Sequence, residues 1–155
     1  MPLTCARPMR ASLGGGANGR SFMSRATVEA DCREMLGLVP TFIAELPDYL
    51  VESEWQSFKA IEFGETAIPN KYKELIGLAV SGATRCRYCT YFHTEAAKLF
   101  GATDEEIRET AIMAKHTMGW STYLNTEQYD YDGFKAEFDQ IATHVKKVMA
   151  EPARA

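Results

Sequence analysis

The chain has 155 residues, 46% of them hydrophobic and 25% charged, which suits one soluble domain with a single core. Its net charge of −4 supplies no basic footprint for nucleic acid. No apolar run approaches the roughly 18 residues that would span a bilayer.

Met1 to Arg20 contains no apolar h-region of a secretory signal. The expected compartment is therefore the reducing cytoplasm, where a close cysteine pair points to catalysis or metal binding before a structural disulfide. The first 28 residues hold no Asp or Glu, four arginines (Arg7, Arg10, Arg20, Arg25) and the run Gly14-Gly15-Gly16-Ala17-Asn18-Gly19. Setting those arginines aside leaves 13 basic against 21 acidic residues in the remainder. Residues 1–26 are expected to be a disordered extension, with Met23 as an alternative start and Cys5 without a role. Residues 27–151 are expected to form one helical domain.

Helical periodicity begins at Thr27. Val28, Cys32, Met35, Leu36 and Val39 share a stripe that Pro40 stops, and Cys32 on that stripe is expected to be a small buried hydrophobe. Pro47 and Asp48 open a second helix with Val51, Trp55 and Phe58, ending near Gly64. A loop over 65–70 precedes a third helix whose apolar stripe is Tyr72, Leu75, Ile76, Ala79, Val80 and Ala83. Gly77 and Gly82 each weaken that helix by about 1 kcal/mol relative to Ala, so each is expected to admit a neighbouring backbone.

The fourth helix carries Cys86-Arg87-Tyr88-Cys89-Thr90-Tyr91-Phe92-His93, with Cys89, His93, Ala96 and Phe100 inward and Gly101 just past its end. Thr103-Asp104-Glu105-Glu106 reads as a capping box opening a long helix to about Leu124. After a polar connection, Phe134, Phe138, Ile141, Ala142, Val145, Val148 and Met149 form the stripe of a last helix. No stretch alternates with period two, so the expected fold is all-α with about six helices.

On a helix, Cys86, Cys89 and His93 at i, i+3 and i+7 share one face. The helix N-terminus favours a thiolate there, and His93, one turn after Cys89, can act as its base. Thiols three apart can also reach the Cα separation of roughly 4.4–6.8 Å that a disulfide requires. Zinc competes for the same ligands, but a structural site needs a fourth, and His116 and His144 have polar neighbours that suit solvated surface. Thr90 stands where a c-type haem motif needs histidine, and the strands of a thioredoxin fold are missing.

Glu74, the stretch Cys86 to His93, Ala96-Ala97-Lys98 and Gly101-Ala102-Thr103-Asp104-Glu105-Glu106-Ile107 resemble the AhpD-like branch of the carboxymuconolactone decarboxylase family, over about Leu36 to Leu124. The resemblance implies an all-helical homo-oligomer (trimer or hexamer) and a thiol peroxidase that reduces hydroperoxides through a dithiol/disulfide cycle. No bound cofactor or metal is implied. A lipoyl group or a thioredoxin-like protein would be the dithiol reductant. It makes Cys86 and Cys89 the redox pair, His93 the base and Glu74 the group that orients it. Cys89 is then expected to be the His93-activated thiol, and Cys86 the more exposed, reductant-facing one because it starts the helix.

Two positions test the resemblance. Strong peroxidases of that branch carry a histidine where this chain has Tyr88, a poor proton shuttle at neutral pH that can still donate a hydrogen bond to sulfur. Glu74 lies opposite the apolar stripe of its helix, so the helical wheel alone makes it a solvated carboxylate. The family reading needs that side covered by the cysteine helix or another subunit. The alternatives of different class are a lactone decarboxylase and a redox-sensing helical assembly.

Overall fold

The computed structural model describes residues 23–150. Among these the regular elements are all helical: α1 (Arg25–Leu36), α2 (Thr41–Ala44), α3 (Asp48–Phe58), a π-helical turn (Lys59–Phe63), α4 (Asn70–Thr84), α5 (Arg87–Leu99), α6 (Asp104–Thr126) and α7 (Tyr131–Ala150). The all-α expectation holds, with seven α-helices where about six were expected. Two compact units divide between Lys59 and Ala60. Of the expected disordered extension, residues 1–22, Cys5 included, lie outside the described residues. Arg25 and Ala26 are helical, a correction to its boundary.

The first unit is built on α1 and α3. Val28, Cys32, Ile43, Val51 and Trp55 make its core, with Met23, Leu36, Val39, Leu46 and Phe58 packed around them. α1 ends at Leu36 because Gly37 adopts φ 78° and donates its N–H to Arg33. Val39 therefore falls beyond the helix that its spacing had placed it on. The indole N–H of Trp55 donates to Asp31 Oδ2 at 2.7 Å, and the ammonium of Lys59 pairs with the same oxygen. Those two donors, Lys59 first, hold Asp31 below the usual carboxylate range. Cys32 is wholly buried. Burial, then the charge of Asp31, pushes its thiol up, so it packs as an inert hydrophobe.

In the second unit α4 packs against α5 and α6. The buried residues of α4 are Glu74, Leu78 and Ser81, which reverses the expected orientation. Tyr72, Ile76 and Val80 of the apolar stripe are exposed, because α5 covers the opposite flank. Gly101 ends α5 with φ 83°, and the N–H groups of Gly101 and Ala102 reach back to Lys98 and Ala97, a Schellman closure.

At the start of α6, Thr103 accepts the Glu106 N–H while the Glu106 carboxylate accepts the Thr103 N–H, as the sequence indicated. Lys71 of α4 pairs with Glu106 at 2.7 Å. Lys71 first, then the Thr103 N–H, holds Glu106 below its usual value, and Glu106 holds Lys71 above its own. A lowered carboxyl contributes stability above its unfolded value of about 4.3 that is lost as pH falls through the folded one. A raised amine contributes stability below about 10.4 that is lost as pH rises through its folded value. Glu106→Gln should therefore flatten the acid limb of a denaturation midpoint-versus-pH curve. Thr103→Ala should cost about 1 kcal/mol across neutral pH.

Candidate thiol site

The link between α4 and α5 consists of Arg85 and Cys86. Arg85 takes the left-handed conformation (φ 59°, ψ 32°), uncommon for a residue with a Cβ, and it reverses the chain so that α5 runs back along α4. Ser81 stitches the corner. Its carbonyl accepts the Cys86 N–H at 3.0 Å, and its hydroxyl lies 3.2 Å from that of Thr90. The Thr90 hydroxyl also bonds the Cys86 carbonyl at 2.9 Å.

Cys86 is the N-cap of α5, and its Sγ accepts the Cys89 N–H at 3.3 Å. Helix capping is ordinarily the work of a hydroxyl or carboxylate oxygen; here a sulfur sits at the positive end of the helix dipole. Cys86 and Cys89 are joined as a disulfide with Cα atoms 5.4 Å apart. Their exposure is the reverse of the expectation, since Cys86 is half-buried and Cys89 exposed. Starting the helix tucks Cys86 into the α4–α5 corner, while Cys89 in the first turn faces outward.

One turn further, His93 Nδ1 lies 2.8 Å from Glu74 Oε2, the carboxylate being wholly buried and the imidazole 19% exposed. A carboxylate only accepts hydrogen bonds, so Nδ1 is the donor to Oε2, and Nε2 is the ring nitrogen that Glu74 does not engage. Gly77 makes the approach possible. A Cβ there would stand 2.6 Å from Nδ1 and Nε2 of His93. The close neighbour is thus a side chain and not the backbone expected, and at Gly82 a Cβ would meet open space. Glu74, which the wheel placed in solvent, is buried because α5 lies over it.

Tyr88 is 73% exposed. The Arg87 guanidinium sits 4.9 Å from its ring centroid and donates to its hydroxyl at 3.0 Å. His116 and His144 are exposed as expected, and His116 accepts the Trp120 indole N–H.

Sequence reasoning passed over Glu62. One ligand atom each from Glu62, Glu74 and His93 lie within 4.8 Å of one another. Among the described residues these donors are of the type that could hold a cation, and the two bonded cysteines are not among them. Glu62 belongs to the π-helical turn, and a charge set between Ile61 and Phe63 was the available signal.

A model of the carboxymuconolactone decarboxylase family matches residues 45–127, more than half of the chain. The chain belongs to that family. The family match takes in Glu62, Glu74, both cysteines and His93. Among solved structures, the alkylhydroperoxidase AhpD core from Rhodospirillum rubrum is similar, with TM-score 0.63 and 27% identity over 72% of this chain and 85% of that one. A curated relative, the uncharacterized protein 4 in the cox locus of Paracoccus denitrificans, is 26% identical over 78 residues, which are 50% of this chain and 70% of that protein. Fold and family are thus AhpD-like.

Gly77→Ala should push the imidazole off Glu74 and destabilise by about 1–3 kcal/mol, the usual cost of overpacking. Gly82→Ala, with space for its methyl, should instead stabilise by up to about 1 kcal/mol. Thermal unfolding of both variants checks the pair, and equal effects would refute the assigned reason for Gly77.

Proposed function

We propose that this family member is a thiol-dependent oxidoreductase that reduces hydroperoxides through Cys86 and Cys89. The observation that carries the reading is the bonded cysteine pair at the head of α5, one turn before an imidazole held by a buried carboxylate. That combination supplies a nucleophile, a resolving thiol and a base.

Cys89, the exposed sulfur, is the attacking thiol. Its proton passes to His93 Nε2, directly or through water, and the thiolate attacks a hydroperoxide oxygen. The O–O bond breaks and the leaving alkoxide takes the proton from the imidazolium. Cys89 is left as a sulfenic acid. The Cys86 sulfur displaces hydroxide from it, forming the disulfide, and the Cys86 proton completes the water. Two thiols and a hydroperoxide thus become a disulfide, an alcohol and water.

Resetting needs a dithiol co-substrate, and a lipoyl group or a thioredoxin-like protein fits. Its thiolate attacks exposed Cys89, and Cys86 leaves as a thiolate steadied by the Cys89 N–H and the helix dipole. The half-buried, capped sulfur is the better leaving group, and the open one is the better target. No step assigns Tyr88 a proton transfer, because its hydroxyl is engaged with Arg87. Its role is to flank the disulfide at the surface.

Cys89→Ser should abolish turnover of an alkyl hydroperoxide with a dithiol reductant, and Cys86→Ser should allow one round that stops at the sulfenic acid. Mass spectrometry and a sulfenic-acid trap distinguish the two. Undiminished peroxide consumption in the double variant would refute the proposal, and activity indifferent to thiol alkylation would point to decarboxylase-type chemistry.

The chain is further proposed to work as a homo-oligomer, a trimer or a hexamer. Support comes from the apolar residues left open on a single chain: Ile112, Met113 and Trp120 of α6, and Phe138, Ile141 and Val148 of α7. Sedimentation should give a mass of several chains, and Phe138→Glu with Ile141→Glu should reduce it. A monomer at all accessible concentrations would exclude assembly.

A further inference from the structure

The Glu74 carboxylate is wholly buried, and only one of its oxygens is accounted for. Oε2 faces His93 Nδ1, whereas Oε1 has no hydrogen-bond partner. An unpaired buried carboxylate oxygen is costly, so a donor is needed at Oε1. Lys73 is the nearby ammonium, but its three N–H groups already serve the carbonyls of Ile61 (3.0 Å) and Gly64 (2.5 Å) and Asn70 Oδ1 (3.0 Å). His93 has committed Nδ1 to the other oxygen. Among the described residues, the titratable group that shares a 4.8 Å cluster with Glu74 and His93 is the carboxyl of Glu62.

We propose that Glu62 and Glu74 share one proton, carried by Glu62 and donated to Glu74 Oε1. With the Glu74 carboxylate wholly buried and the Glu62 carboxyl within the same 4.8 Å cluster, a second negative charge there is disfavoured. The groups that face Glu62 are Glu74 and Lys73 from α4 and His93 from α5. Burial, then the hydrogen bond to Glu74, then its negative charge, raises Glu62, against His93 and Lys73, which lower it.

The chain builds this contact with a departure from helical geometry. Lys59–Phe63 form a π-helical turn, a distortion often found at functional sites. Lys73 fastens its end through the carbonyls of Ile61 and Gly64, and Asn70 Nδ2 donates to the Phe63 carbonyl at 3.2 Å. Glu62 is thereby held to the stretch of α4 that carries Glu74.

Its consequence for turnover rests on the proposed role of His93 as base. Glu62 is a positioning residue whose proton stays in place through the cycle. With Glu62 neutral, the imidazolium formed when His93 takes the Cys89 proton faces one negative charge. It can then return that proton to the alkoxide. An ionised Glu62 would add a second charge and hold the proton on the ring.

The test uses the full chain with Glu62→Gln and Glu62→Ala. Infrared spectra at neutral pH should show the C=O stretch of a protonated carboxyl in the parent protein, lost in Glu62→Gln. Following the His93 ring signals by NMR, Glu62→Gln should leave the titration midpoint unmoved, since it replaces one neutral donor by another. Glu62→Ala should lower the melting temperature, and Glu62→Gln should restore it.

Three results would overturn the proposal: no protonated-carboxyl band; a His93 midpoint that falls by about one pH unit or more in Glu62→Gln, as removal of a charge would cause; or stoichiometric binding of added zinc that Glu62→Gln abolishes, showing that a cation bridges the carboxylates. None of these readouts uses peroxide. Failure of the peroxidase reading would appear only in turnover, with the spectroscopic results intact.

Discussion

A carboxylate with no access to water, held against an imidazole, is the constraint on which the second unit depends. Burying Glu74 is unfavourable unless its oxygens are satisfied, and His93 satisfies one of them at 2.8 Å. That bond requires α5 to approach α4 closely, and Gly77 is the position at which the ring is admitted. Polarity, close packing and the orientation of the ring are thus one arrangement. Losing any of them disturbs the others, because one close contact between α4 and α5 serves all three.

The sulfur end of α5 obeys a different logic. Cys86 is fixed by its backbone bond to Ser81 and by its capping role, whereas Cys89 is open. Two chemically identical side chains acquire different characters from three residues of helix. One accepts the Cys89 N–H at the positive end of the helix dipole, and the other is exposed at the surface. Between them in sequence, Arg87 and exposed Tyr88 add a guanidinium stacked on a phenol.

The thiol motif was legible because its logic is local. Helical spacing alone puts Cys86 within reach of Cys89, and it places His93 one turn on. The capping box at Thr103 and the stop at Gly101 were legible for the same reason. Glu74 was not, since a wheel reports where apolar residues lie on one helix and not which flank a neighbour will cover. The stripe of Tyr72, Ile76 and Val80 attracted the core assignment, yet Leu78 and Ser81 are what α4 buries with Glu74. Glu62 was hidden further, because a π-helical turn breaks the 3.6-residue period on which such reading depends. The short α2 helix escaped because four residues are too few to show a period. The family resemblance had paired Glu74 with His93, a contact that spacing withheld.

The two-residue corner at Arg85 and Cys86 has a consequence for how this chain can vary. Since α4 and α5 are joined so tightly, Glu74 and His93 meet only while the count of residues between them is kept. One residue inserted into either helix along that path would turn one partner by about 100° relative to the other. Length changes in the 65–69 loop, or after Gly101, leave that register untouched. The interval from Glu74 to His93 is therefore the part of this site where substitutions can be accommodated more readily than insertions, a property of the winding of two helices and not of the chemistry they carry.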